Sequence, residues 1–336
     1  VQIKIAKQIF SFFFFGPKNC SDTLYVSLIN TFFMFYYWAF GLSIYSEIEF
    51  PELYPTSEVS FPDVNILFGP VPSEINVGNG FKSDYLSVGQ KSFLLHVKDV
   101  ASYFVEEGSQ ITISIIEDAP LNEVRLFCLS NAFAALLHQR ELIPLHAAGF
   151  LFEEKVVMLM GSSGAGKSTT LAAMMKKGYA PFSDDICVPI KNGNGDWTAY
   201  SSYPMLKYWE ETLNKFDIPE SAKKVRLRSD LNKYGVFFHD KFICDPHKIE
   251  MLILLEEDPH VGEVSIKKIT GIEAFVRLQA EAYRKEYLEY ESMTPSHFMV
   301  LSSMANELPV FSLTRPSKKE SHDDVVGIIE SILFYK

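Results

Sequence analysis

Gly161-Ser162-Ser163-Gly164-Ala165-Gly166-Lys167-Ser168 follows the apolar run Val156-Val157-Met158-Leu159-Met160 and leads into Thr169-Thr170-Leu171-Ala172-Ala173-Met174-Met175. The stretch reads as strand, glycine loop and helix, the context that the pattern G-x-x-x-x-G-K-[ST] requires. Glycines let successive backbone N–H groups turn inward around phosphate oxygens, and a helix N-terminus adds a dipole that favours an anion. Lys167 supplies a point charge for the β- and γ-phosphates, and the Ser168 hydroxyl is a magnesium ligand. The motif thus predicts a bound nucleoside triphosphate with Mg²⁺, ATP for a kinase, held by Gly161, Ser162, Ser163, Gly164, Ala165, Gly166, Lys167, Ser168 and Thr169.

Working outward, the loop helix is expected to end at Gly178, a natural C-terminal cap. Ser183-Asp184-Asp185 then marks a loop-to-strand transition. Phosphoryl transfer to a hydroxyl needs one carboxylate for the nucleophile's proton and another group for Mg²⁺. Adjacent carboxylates at a strand edge point in different directions and can divide these tasks. His146, on an expected strand over residues 145–152, is the third candidate, since a histidine near a carboxylate tunes its proton affinity. A rival set of acids exists. Ile249-Glu250-Met251-Leu252-Ile253-Leu254-Leu255-Glu256-Glu257 imitates the apolar strand ending in acids used by switch ATPases, with Glu256 and Glu257 as Walker-B-like groups.

Leu145-His146-Ala147-Ala148-Gly149, the glycine loop, Gly178-Tyr179 and Ser183-Asp184-Asp185 follow in an order and spacing that resembles HPr kinase/phosphorylase. The chain is similar to the HPr-kinase-like serine kinases, which include peptide-tailoring kinases of lasso-peptide pathways. The opening Tyr37-Trp38-Ala39-Phe40-Gly41-Leu42-Ser43-Ile44 and Pro51-Glu52-Leu53 resembles theirs. The resemblance implies an α/β fold, a P-loop-containing mixed sheet of the HPr kinase / PEP carboxykinase type, preceded by a small β-rich N-terminal domain. It also implies Asp184 as general base on a serine hydroxyl, Asp185 and Ser168 on Mg²⁺, His146 beside the acidic pair, and Lys167 as a catalytic cation. The acceptor would be a serine of a peptide or protein, with a small hydroxyl metabolite as the alternative. HPr kinases carry an E-x-R-G-L-G-I-type signature after the acidic pair. This chain has Tyr203-Pro204-Met205-Leu206-Lys207-Tyr208-Trp209 there, so HPr as substrate, reverse phosphorolysis and the hexamer stay open. Lys207, Arg226, Arg228 and Lys233 are candidate phosphate or substrate contacts.

At 336 residues two units are the default expectation. We divide the chain into an apolar extension (1–33), a β-rich N-terminal domain (34–120) and a kinase domain (121–336). Its 47% hydrophobic and 22% charged residues describe a globular chain. A net charge of −11 argues against nucleic acid as a partner, because phosphate backbones repel such a surface. The four cysteines form no C-x-x-C pair, which points to a reducing cytoplasm without disulfides. Residues 23–46 carry no charge and reach the length of a membrane span, but Gly41 and several polar residues interrupt them. Membrane contact is expected only if residues 8–46 insert; a homo-oligomer stays open. Elsewhere the pattern predicts a hairpin at 102–105 and 110–116, with turns at Asn79-Gly80 and Val88-Gly89. Helices are expected at 122–139, 204–216, 271–290 and 323–333, and a strand at 249–255.

Overall fold

The computed structural model describes residues 34–219, 222, 224–287, 295–317 and 321–334. Alternation of inward apolar and outward side chains builds the first sheet. Its strands are β1 (Phe35–Ala39), β2 (Leu42–Ser46), β3 (Tyr54–Pro55), β4 (Val64–Phe68), β5 (Phe81–Lys82), β6 (Leu86–Gly89), β7 (Ser92–Val97), β8 (Ala101–Glu106) and β9 (Gln110–Ile115). They lie in the order β3-β1-β2-β4-β9-β8-β7-β6-β5. The β2–β4 and β4–β9 pairs are parallel and the rest antiparallel. Ala101, Tyr103 and Val105 of β8 and Ile111 and Ile113 of β9 point into the core, as the expected hairpin requires. The turn expected at Val88-Gly89 lies two residues later, at Gln90-Lys91. Val88 and Gly89 both belong to β6, and Gly89 already pairs with Ser92 of β7.

Phe40 and Gly41 turn β1 into β2 with φ of 57° and 77°. Both residues are left-handed, as a two-residue hairpin turn matched to strand twist demands. A side chain at position 41 would strike the Tyr200 ring. The Phe40 N–H donates to the Ser202 carbonyl (3.0 Å), and its ring stacks 5.0 Å from Phe133. One hairpin tip therefore joins the first sheet to the strand that carries Tyr200.

The helical stretch expected at 122–139 forms as α1 (Leu121–Phe127) and α2 (Phe133–Gln139), joined by one wide π-turn at Cys128–Ala132. Next come β10 (Ala147–Phe152), β11 (Lys155–Met160), α3 (Lys167–Lys176), β12 (Pro181–Ser183), β13 (Cys187–Lys191) and β14 (Trp197–Ser201). After these are β15 (Met205–Trp209), α4 (Glu210–Lys215), β16 (Lys224–Arg226), β17 (Lys233–Phe237), β18 (His247–Asp258) and β19 (Ser265–Ile269). The chain then runs through α5 (Gly271–Ala280), α6 (Pro295–Glu307), β20 (Val310–Pro316) and α7 (His322–Phe334). An eight-stranded mixed sheet has the order β12-β10-β11-β18-β14-β13, with β20 on both β18 and β19. The strands β11, β18 and β20 run parallel.

Residues 156–160 of β11 and 251–255 of β18 are unbroken apolar runs because helices cover both faces. Leu171, Met174, Val326 and Ile329 of α3 and α7 pack on Val157, Leu159 and Ile253. Ala274, Leu278, Leu301 and Met304 of α5 and α6 pack on Met158, Met160 and Leu254 from the other side. The loop 161–166 thus emerges from the carboxyl end of a central parallel strand, where open α/β sheets place ligand sites.

Two further sequence expectations are corrected. Residues 205–209 form β15, not the start of a helix, because Met205 and Leu206 enter different apolar cores and both faces are covered. The helix expected at 271–290 stops at Ala280. The His146 N–H donates to the Glu281 carbonyl (2.8 Å) and Leu145 bridges Ala282, so the chain is drawn onto the sheet there; residues 288–290 lie outside the described residues. Residues 35–39 and 42–46 are strands, and among the described residues no helix is long and apolar enough to cross a membrane. The extension at 1–33 lies outside the described residues.

Candidate active site

The glycine loop closes on itself through Lys167. Its buried ammonium donates to the Gly161 carbonyl (2.5 Å) and the Ser162 carbonyl (3.3 Å), while the Ala165 N–H closes a turn on Ser162 (3.1 Å). Gly161 and Gly166 have φ of 136° and 102°, values that exclude other residues without strain. At Gly161 a side chain would also drive into the Leu255 carbonyl of β18. Ser162, Ser163 and Gly164 are exposed, so this part of the loop faces solvent. Burial lowers the proton affinity of Lys167, and the Glu281, Asp185 and Asp184 carboxylates pull it back up.

Asp184 and Asp185 sit between β12 and β13, and the structure brings them to the loop. Asp184 is 2% exposed. Its Oδ1 accepts the Ser168 hydroxyl (3.3 Å) and the Asp185 N–H (3.0 Å); its Oδ2 accepts the Lys207 N–H (2.7 Å). Asp185 has a left-handed backbone, φ 72°. Its Oδ2 receives the Lys207 ammonium (2.6 Å) and the Tyr283 hydroxyl (3.5 Å), and its Oδ1 lies 3.6 Å from His146 Nε2. Lys207 therefore fastens both aspartates, one with its backbone and one with its side chain.

The two carboxyls have opposite electrostatics. Burial raises the proton affinity of Asp184, opposed by the Lys207 N–H, with the neighbouring Asp185 charge adding to the rise. Burial also pushes Asp185 up, but the Lys207 ammonium and the other cations outweigh it and hold the group below the usual carboxylate range. Lys207 is the mirror image. Burial disfavours its charge, yet Asp185 holds it well above the ordinary lysine value. His146 is pushed down to about 4, first by burial and then by Lys167, Lys207 and Lys233 against the pull of Asp185. It is neutral at pH 7, edge-on to the Tyr283 ring at 5.8 Å.

Five sequence-derived candidates are thus gathered at one place: Lys167, Ser168, Asp184, Asp185 and His146. Thr169 faces the other way and lines an open cavity of about 340 Å³ with Gly164, Gly166, Lys215, Arg315 and His322. The four downstream cations separate. Lys207 is central, while Arg226 clamps its own loop through Leu231 and Asn232, and Arg228 pairs with Asp230. Lys233 pairs across from Trp209 and rests over its ring at 5.6 Å, on the same sheet face as Lys207. The rival acids are each taken by an arginine. Glu256 pairs with Arg277, and Glu257 pairs with Arg315, whose Nε also donates to the Ala165 carbonyl (3.2 Å).

Three participants escaped the sequence reading. The Glu281 carboxylate accepts the Gly161 N–H (3.0 Å), Tyr283 lies edge-on to His146 and donates its hydroxyl to Asp185, and Arg315 braces the loop. The Glu281 and Tyr283 pair follows a helix end hidden inside a helical pattern. Arg315 lies at the end of a strand that no sequence signal marked.

No family model matches this chain, and no curated protein matches it. Among solved structures it is similar to the Hpr(Ser) kinase/phosphatase from Coxiella burnetii, at 11% identity and a TM-score of 0.29, covering 56% of this chain and 93% of that one.

Proposed function

We propose that this chain is an ATP- and Mg²⁺-dependent kinase that transfers the γ-phosphoryl group to a hydroxyl, a serine of a peptide or protein. One observation carries the reading. The loop hydroxyl Ser168 and the buried Asp184 meet at 3.3 Å, with a second carboxylate, Asp185, fixed alongside. A donor loop touching an acidic pair is the minimum that hydroxyl phosphorylation asks of a protein, since the reaction relies on positioning and electrostatic stabilisation.

The residues fit a magnesium site of the phosphate-assisted kind. Among the described residues no group of three or more His, Cys, Asp or Glu could hold a metal alone. Magnesium bound through one or two protein oxygens plus substrate phosphates does not need one. When bound it would neutralise charge between the β- and γ-phosphates. Lys167 would give up its loop carbonyls for phosphate oxygens. The cavity beside Gly164 and Gly166 offers room for the nucleoside, with Arg315 and Lys215 at its wall. The ATPase alternative is weaker, because arginines already neutralise Glu256 and Glu257.

The test incubates the protein with γ-labelled ATP, Mg²⁺ and serine-containing peptides. Label on a peptide serine, lost in Lys167→Ala and kept in Glu256→Gln, supports the kinase. Phosphate release that needs no acceptor and disappears in Glu256→Gln would sink it.

A further inference from the structure

The two neighbouring aspartates are not equivalent, and their differences run against the roles that the resemblance implies. We infer that Asp184, with Ser168, forms the protein's half of the magnesium site, and that Asp185, flanked by His146 and Tyr283, faces the acceptor hydroxyl. This rests on the kinase reading and assigns the division of labour within it.

Three features carry the assignment. Ligand oxygens about 2.0–2.1 Å from an octahedral Mg²⁺ stand about 3 Å apart when adjacent. Ser168 Oγ and Asp184 Oδ1, at 3.3 Å, match that edge. Asp185 has no such neighbour from the loop. The ammonium of Lys207 sits on its Oδ2 at 2.6 Å, so a divalent ion arriving there would meet a fixed positive charge. Lys207 has little freedom to leave, being 5% exposed, set in β15 and placed over the Tyr203 ring at 5.7 Å.

Accessibility is the second feature. A group that takes a proton from the acceptor must come within hydrogen-bond reach of it. Asp184 is sealed at 2% exposure, with backbone N–H groups on both oxygens. Asp185 keeps 19% of its side chain exposed, and His146 beside it keeps 30%. Burial keeps an acceptor hydroxyl away from Asp184, whose contact with the loop is the Ser168 hydroxyl.

The backbone is the third. At φ 72° Asp185 occupies a left-handed conformation that costs a non-glycine residue energy. The turn lets consecutive side chains serve opposite sides, one toward the loop and one toward His146.

The step balances as follows. The acceptor oxygen bonds to the γ-phosphorus while the bond from that phosphorus to the β,γ-bridging oxygen breaks. The electron pair leaves with ADP, and the hydroxyl proton passes to the Asp185 carboxylate, which Lys207 holds in place. A loose transition state asks positioning of this group more than basicity.

The test separates binding from transfer. Binding of ADP and of a non-hydrolysable ATP analogue is measured by calorimetry across Mg²⁺ concentrations, with melting curves to confirm folding. Asp184→Asn and Ser168→Ala should each weaken the magnesium-dependent part of binding at least about tenfold. Asp185→Asn should leave it unchanged while cutting transfer by about 10²–10⁴-fold. If Asp184→Asn does not fold, Ser168→Ala reads the same site from the loop. Loss of the magnesium dependence in Asp185→Asn, with Asp184→Asn and Ser168→Ala unaffected, overturns the assignment. If the wild-type protein labels no hydroxyl, the kinase reading falls and the acceptor-side role of Asp185 with it, while the magnesium arm still decides for or against Asp184.

Discussion

Glu256-Glu257 and Asp184-Asp185 are both acidic pairs at strand ends near the glycine loop, and on sequence either could hold magnesium. Their surroundings separate them. Glu256 and Glu257 are partly exposed, and each has its own arginine, Arg277 and Arg315. Such pairs brace helix α5 and the loop against the sheet, and in water they contribute little each. Asp184 is buried and Asp185 largely so, and the two share a single lysine, which bonds one through its backbone and the other through its ammonium. Low dielectric makes each of those contacts consequential. Similar acidic pairs in a sequence therefore come to sit in different settings, open and arginine-paired in one place and enclosed around one lysine in the other. The proposed chemistry follows from what neutralises the charge.

The sharpest way to break this comparison is Lys207→Met. It strands the Asp185 carboxylate in a buried site, and a buried ion pair broken on one side loses about 3–5 kcal/mol. Chemical denaturation should show a loss of that size, partly restored in the double variant Lys207→Met/Asp185→Asn. A loss no larger than that of a surface pair would put Lys207 in the class of Arg277.

Next in size is the acid response. The folded-state pKa of His146 and of His138 is lowered to about 4, from 6.5, by burial above all. A histidine with a lowered folded pKa takes up its proton more readily when unfolded, so stability falls as pH drops from about 6.5 to about 4. Discounted for its partial exposure, His146 accounts for about 2 kcal/mol of this. In His146→Gln the stability lost between those pH values should shrink by about that amount. Asp185 acts in the same direction at lower pH, because its folded proton affinity is depressed.

Glu256→Gln and Glu257→Gln come third, and they test the other member of the comparison. Each should cost less than about 1 kcal/mol and leave transfer nearly intact. Loss of turnover in either would move the magnesium site to the end of β18. The smallest effect belongs to Lys233→Met. Its charge is one of those that lower His146, so its removal should raise the His146 titration midpoint in an NMR pH series. An unchanged midpoint would place Lys233 outside the site's field.

The donor half of the site was legible because it is local. A glycine loop, its lysine and its serine lie within eight consecutive positions, and strand and helix flank them as the motif demands. The acidic pair and His146 were legible as candidates, since each lies at the end of a short apolar strand. What holds them was not. Lys207 stood in a segment read as helix, because Met205-Leu206-Lys207-Tyr208 carries no alternation when both faces are covered. Glu281 and Tyr283 stood within an apparent helix whose break comes from pairing with Leu145 and His146, more than a hundred positions away. Tertiary contacts of that range leave no periodic trace. The order and direction of the strands were hidden for the same reason, including the parallel β2–β4–β9 step in the first sheet.

The central claim is most directly tested by following where the γ-phosphoryl group goes. ADP, free phosphate and phosphorylated serine would be quantified together in one reaction with Mg²⁺, ATP and a peptide mixture. The account predicts one phosphoserine per ADP with little free phosphate, and neither product in Lys167→Ala. One free phosphate per ADP, with every peptide unmodified, would contradict it.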